Sequence, residues 1–266
     1  LNLLIDSPAR YLARGGASTA TREASELTTL ALMRMAANDP DAAIGQLNDR
    51  WDRALPADLA VWAWAEVGKQ SAQKLLPEAA DHYLKATQRA AKSKVDVDLP
   101  DEMLAWKARA ALRADNGKPR WQQAMQAINA MSAAEQRETT WVYWKARALT
   151  ALAGDSQDGE SMRAMGREQM TSIAAQMSFY GSLAAEHLGQ PLYVPPRPQP
   201  LTKDERDAAL ATPGLVRALQ LISLGLRSEG VREWNFTLRG MGDRELLAAA
   251  QLACDREVWD RCINTS

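Results

Sequence analysis

Histidine and cysteine are scarce in this 266-residue chain, with two of each, and phenylalanine occurs only twice. Two histidines and two cysteines are too few for a closed four-ligand zinc site unless carboxylates join in. A charge excess of either sign is also missing: 32 basic against 33 acidic residues give −1 with histidine neutral. That balance, with a pI near 6.2, argues against a dedicated nucleic-acid binder, which usually carries a clear basic excess. No apolar run approaches the roughly 20 residues a membrane helix needs, so no membrane span is expected. No run of alternating β-branched residues reads as a strand either. The opening Leu1-Asn2-Leu3-Leu4-Ile5-Asp6 has no Met and no basic n-region. It therefore reads as the start of a mature chain or of a fragment, not as an intact signal peptide.

What is present points one way. With 46% hydrophobic and 24% charged residues, the chain has the composition of a folded protein rather than a disordered one. It holds 48 Ala, 23 Arg against nine Lys, and nine Trp against five Tyr. Ala and Arg are strong helix formers, while Gly and Pro fall mainly in short punctuating clusters. Close-packed helices with indole rings filling the gaps between them are expected. The fold class read from this is all-α.

Helical spacing and stop signals divide the chain. Helices are predicted over Thr21–Ala37, Asp41–Trp51, and Ala57–Val67 ended by Gly68. Ser71–Ala91 follows, kinked or split at Leu76-Pro77. Next come Glu102–Arg113, closed by Asp115-Asn116-Gly117, and then Trp121–Met131. Ser132, with Glu135 at capping-box spacing, is predicted to start a helix running to Leu152. Gly159–Gln176 and Phe179–Leu188 complete this part. Pro191–Pro200 then holds five of the twelve prolines and should run extended, like polyproline II. Beyond it, helices are predicted over Thr202–Ala211, Gly214–Leu226, Glu229–Arg239, Arg244–Cys254 and from near Arg256. The domain division is accordingly 1–190, a connector at 191–200, and 201–266.

The chain also repeats itself. Trp106-Lys-Ala-Arg-Ala-Ala-Leu112 recurs as Trp144-Lys-Ala-Arg-Ala-Leu149, a period of 38, and Trp62-Ala63-Trp64-Ala65 lies 44 residues before Trp106. Such periods, with two helices per unit, mark α-solenoids whose hairpins bury their apolar faces against their neighbours. A right-handed superhelix is expected, with Trp106 and Trp144 at equivalent, mostly buried positions.

Three stretches together resemble the soluble lytic murein transglycosylases. Ser178-Phe-Tyr-Gly-Ser-Leu-Ala-Ala-Glu-His-Leu-Gly189 with its Pro-rich link is similar to a signature in that family's helical part. The two Trp-Lys-Ala-Arg stretches resemble its superhelix, and Arg217-Ala-Leu219, Leu224-Gly225-Leu226 and Glu233-Trp234 its linker domain. The resemblance covers essentially the whole chain. It implies a partial superhelical domain over 1–190 and a helical linker domain over 201–266. A lysozyme-like catalytic domain would lie beyond, so the sequence reads as a middle section of a longer protein. It also implies a periplasmic setting, peptidoglycan glycan strands as partner, no cofactor, and a role in holding the catalytic domain and guiding the strand. The parent would cleave the MurNAc-GlcNAc bond to 1,6-anhydromuramyl products. A different class, a free-standing tetratricopeptide-like adaptor binding a protein partner, is the alternative, although the regular 34-residue period of such adaptors is missing.

The family's catalytic motif is Glu-Ser with Gly-Leu-Met-Gln shortly downstream. Glu160-Ser161-Met162 begins like it, but Ala164-Met165-Gly166-Arg167 follows, and Gly-Leu-Met-Gln occurs nowhere. Glu160 also sits in a polar helix start, where the helix dipole favours a carboxylate. It reads as a decoy. His82 and His187 have no Ser, Cys or carboxylate at catalytic spacing and read as packing or surface residues. The Glu186-His187 pair is assigned to seating a helix hairpin, and Gly181 to close helix approach. Trp106, Trp141 and Trp144 share faces with Ala and Leu, as core residues do, although indoles also stack on sugars. Arg109 and Arg113 read as ordinary helix surface that would meet anionic muropeptide. No catalytic, cofactor-binding or metal-ligating residue is assigned. Cys254 and Cys262 flank a turn at Asp255–Glu257 and are expected to face each other closely enough to pair. The oxidising compartment implied by the family permits a disulfide.

Overall fold

The computed structural model describes residues 2–13, 17–191 and 196–265. It is all helical among them, and it forms two compact units, Leu1–Val194 and Pro195–Ser266. The expected polyproline segment falls partly on 192–195, outside the described residues; 196–200 carry no regular secondary structure.

In the first unit, two short helices, α1 (Asn2–Asp6) and α2 (Pro8–Ala13), lead to α3 (Arg22–Asn38) and α4 (Pro40–Gln46). Thr21 accepts from the Ala24 amide to start α3. Asp39 then ends α3 and starts α4: its amide donates to Met35 O, its carboxylate accepts from the Ala42 amide at 3.0 Å, and Pro40 stands at N1. The predicted helix to Trp51 is present but widens into a π turn over Leu47–Trp51 before α5 (Asp52–Ala54).

Then follow α6 (Ala57–Gln73), α7 (Ala79–Ser93), α8 (Asp101–Leu112), the one-turn α9 (Ala114–Gly117) and α10 (Trp121–Asn129). The unit finishes with α11 (Thr139–Leu152), α12 (Gln157–Ala174) and α13 (Phe179–His187). Packing follows chain order. α6 packs on α7, α8 on α10, and α11 on α12, and each hairpin touches the next through α6·α8 and α10·α11. That nearest-neighbour stacking is what a superhelix of hairpins requires.

Two boundaries differ from expectation. Gly68 does not stop α6, which runs on to Gln73. A side chain there would meet the Tyr83 ring of α7 at 2.7 Å, so this glycine serves close helix packing. Ser132 does not begin α11. Its hydroxyl caps a single 3-10 turn (Glu135–Arg137) and donates to Asp101, after which Glu138 is extended and the helix starts at Thr139. The capping signal was real; it served a shorter element.

The repeat read from the sequence is structural. Trp62, Trp106 and Trp144 are each the sixth residue of the first helix of a hairpin. Ala108 and Ala146, one period apart, are both fully buried between hairpins. Gly181 is buried where α13 turns back on α12, with Gln176 O, Ile173 O and Ser178 Oγ filling the space a side chain would take. Glu186 and His187, expected to seat this hairpin, are instead both exposed. Ser178, accepting from the Gly181 amide at 3.0 Å, and the glycine itself make the turn.

The second unit comprises α14 (Lys203–Ala211), α15 (Pro213–Ser223), α16 (Arg227–Thr237), α17 (Asp243–Asp255) and α18 (Trp259–Thr265). Thr202 and Glu205 form a reciprocal capping box at the start of α14. Arg244 of α17 holds Glu205 at 2.6 Å and also donates to the carbonyls of Gln199 and Pro200. That guanidinium, with the Thr202 amide, pushes the Glu205 carboxyl down to about 2. The core gathers Leu215, Ala218, Leu219, Ala249, Leu252 and Ala253 around a fully buried Trp234. Cys254 and Cys262 are joined as a disulfide across the turn between α17 and α18, with Cα atoms 4.9 Å apart. Glu257 in the left-handed region closes that turn.

Candidate functional site: an aromatic and cationic cleft

The α6–α7 turn, the face of α8, the turn after it, α11 and the start of α13 together bound a cleft of about 770 Å³ in the first unit. That lies within the size range of ligand clefts. Leu75, Leu76 and Pro77 form one side. Trp106 and Arg109 project from α8, Arg113 from the residue that caps its C-terminal end, Trp144 from α11 and Tyr180 from α13. The helical spacing of Trp106, Arg109 and Arg113 puts all three on one face of α8.

These aromatics pack on the core as the sequence predicts, but two of them do so only in part. Trp141 is 2% exposed and its indole N–H donates to Glu135 at 2.8 Å, as core packing requires. Trp106 and Trp144 are only partly buried. Each packs against the core and also lines the cleft. The tandem spacing was right about their equivalence. It says nothing about what covers the face that the next hairpin leaves open.

Trp144 is held from several directions. Its indole N–H reaches the Tyr180 hydroxyl at 3.4 Å, and its ring meets Tyr143 edge-on at 5.4 Å and Trp121 at 6.4 Å. Such contacts fix a ring without covering it. Arg109 stacks its guanidinium over Trp106 at 5.0 Å and Trp141 at 5.2 Å.

Charge in the cleft is unbalanced. Asp115 is taken by Arg120 at 2.7 Å. Among the described residues neither Arg109 nor Arg113 has a carboxylate within ion-pair distance, although both are exposed. Eight arginines among the described residues are ion-paired, including Arg22, Arg120, Arg217, Arg227 and Arg244; Arg109 and Arg113 belong to the larger group that is not. The rims are conformationally unusual. Leu75 takes φ +58° and is 60% exposed, and Asp115, Asn116 and Gly117 form a run of three positive φ values. A left-handed leucine is rare.

Tyr180 and the Leu75 rim were missed from the sequence. Only the Ser178–Gly189 stretch drew notice, and as a packing motif; nothing local says that its tyrosine meets Trp144, 36 residues earlier. Arg109 and Arg113, read as plain surface, are cleft residues. Glu160 lies exposed in the first turn of α12 and is not part of the cleft. Among the described residues no three His, Cys, Asp or Glu side chains gather as metal ligands, and no helix is long and apolar enough to cross a membrane.

His187 is exposed, whereas His82 is 7% exposed, stacked on Trp64 at 6.1 Å, with no partner for Nδ1. Burial first, then Lys85, lowers its pKa; Asp81, Glu78 and Asp41 oppose this. The unfolded chain, with a value near 6.5, therefore binds a proton that the folded chain resists. Stability should fall as pH drops below about 6.5. Urea midpoints at pH 7.5 and 5.5 should show a loss in the wild type that is smaller in His82→Phe.

Fold and cleft define an all-α superhelical stack of hairpins with an aromatic, cationic groove, followed by a small helical unit. That fold is the one found in soluble lytic transglycosylases. The lytic transglycosylase Slt of Pseudomonas aeruginosa, solved as an inactive mutant, matches 98% of this chain with a TM-score of 0.67 and 24% identity. The 70-kDa soluble lytic transglycosylase matches in its complex with bulgecin A (99% covered, TM-score 0.61, 18% identity). So does the Escherichia coli structure (98%, 0.61, 17%). The chain spans about 40% of the length of those proteins. No family model and no curated protein matches it.

Proposed function

We propose that this chain is the superhelical and linker portion of a periplasmic peptidoglycan lytic transglycosylase, divided as 1–190, 191–200 and 201–266. Its role is to hold a catalytic domain supplied by the parent protein and to guide the glycan strand. The observation that carries this reading is the match over 98% of the chain at a TM-score of 0.67. The partial coverage of those proteins supports the view that the proton donor lies elsewhere. Within the chain, glycoside cleavage needs a carboxyl acid held in an apolar pocket with groups fixing the sugar; the exposed Glu160 has no such setting.

Incubated with purified murein sacculi, the 266-residue chain should bind them and release no 1,6-anhydromuropeptides detectable by mass spectrometry. Release that disappears in Glu160→Gln would overturn the scaffold reading, and so would a failure to bind sacculi at all.

A further inference from the structure

We infer that the cleft between α8, α11 and α13 is a binding subsite for a pyranose that carries a carboxylate. The peptidoglycan identity of that sugar rests on the function proposed above; the anionic-sugar chemistry rests on the cleft itself. Trp106 and Trp144 line the cleft with the exposed parts of their indole rings, and although Arg109 lies over Trp106, the electron-rich ring surface left in the cleft attracts the slightly positive axial C–H groups of a sugar ring. Tyr180 adds a hydroxyl beside them, already in reach of the Trp144 N–H. Arg109 and Arg113 face the same space without an acidic partner among the described residues. The guanidinium fork matches a carboxylate with two parallel hydrogen bonds. Because Arg109 and Arg113 are one helical turn apart, one carboxylate can meet either or bridge both.

The rims are set by helix ends. Leu75 closes α6 in the left-handed conformation, its amide donating to Ala72 O and the Leu76 amide to Ser71 O, which leaves an exposed leucine at one rim; Asp115–Gly117 turn the chain at the other. A nucleic-acid strand also stacks on aromatics, but it needs a charged track, and this chain is nearly neutral.

The carboxylate has two possible sources in murein, the lactyl ether of muramic acid and the appended peptide. Calorimetric titration of the full chain should use denuded murein oligomers, a peptide-bearing disaccharide, oligogalacturonate, neutral chitotetraose and oligothymidylate. At low salt the favoured murein ligand should bind about tenfold or more tighter than chitotetraose. Arg113→Gln should remove most of that difference while leaving chitotetraose unchanged; Trp106→Ala should weaken all sugars. Arg113 is exposed, so this variant tests the site even if Trp106→Ala fails to fold, and Lys203→Gln in the second unit serves as the charge control. Preference for the denuded oligomer names the lactyl group, and preference for the disaccharide names the peptide.

Equal affinity for charged and neutral sugars, no effect of Arg113→Gln, or tighter binding of oligothymidylate would overturn the subsite. Murein binding unaffected by cleft variants would overturn it while leaving the scaffold reading standing. Arg113-dependent binding of oligogalacturonate without murein binding would do the reverse.

Discussion

Replacing Trp234 with alanine should unfold the second unit while the first keeps its protection against hydrogen exchange. Trp234 is fully buried at the centre of the only apolar cluster described for 195–266. Its N–H also donates to Thr265 at 3.0 Å, tying α16 to the end of α18. Removing a buried indole costs about 3–5 kcal/mol. A unit of this size has a total stability of roughly 4–10 kcal/mol, so the loss consumes much of it. Exchange mass spectrometry should show α14 to α18 opening and α6 to α12 unchanged. Trp234→Phe should be far milder, losing the Thr265 bond but keeping most of the volume. Retained protection of α15 to α17 in the alanine variant would mean that the unit is held by something other than this core.

Reducing the Cys254–Cys262 bond should be the next largest effect. The cross-link closes a loop of eight residues' separation, and constraining such a loop in the unfolded chain is worth roughly 2.5 kcal/mol. The benefit is concentrated on α18, which contributes no buried residue of its own. Besides the disulfide, α18 is held by polar ties: Arg227 to Asp260 at 2.6 Å and Arg261 to Asn235 at 2.9 Å. Dithiothreitol should therefore lower the melting temperature of the second unit and speed exchange in α18 before α17. A Cys254→Ala/Cys262→Ala chain should start from the lowered value and ignore the reductant. A melting temperature indifferent to dithiothreitol in the wild type would refute this account.

The helices themselves were readable from local rules. Asp39, Ser156, Ser178 and the Thr202–Glu205 box cap helix starts in the structure, and because capping involves atoms only two or three residues away, the predicted helices begin close to them. The 38-residue repeat was readable for the same reason that it exists: successive hairpins present the same face to the same kind of neighbour. Where an expectation failed, a distant ring or carboxylate had overruled a nearby signal. Tyr83 makes Gly68 a packing contact instead of a stop. Asp101, 31 residues before it, helps fix Ser132 in its short turn.

The sequence by itself determined the all-α class, the tandem equivalence of Trp106 and Trp144, the closeness of Cys254 and Cys262 and the resemblance that the solved structures share. Only the tertiary structure decided that Trp106 and Trp144 line a cleft, that Tyr180 and Leu75 join them, and that Arg109 and Arg113 stand there unpaired. Periodicity reports which side of a helix is apolar. Whether that side is sealed depends on the next hairpin and on turns dozens of residues away, and packing alone settles it.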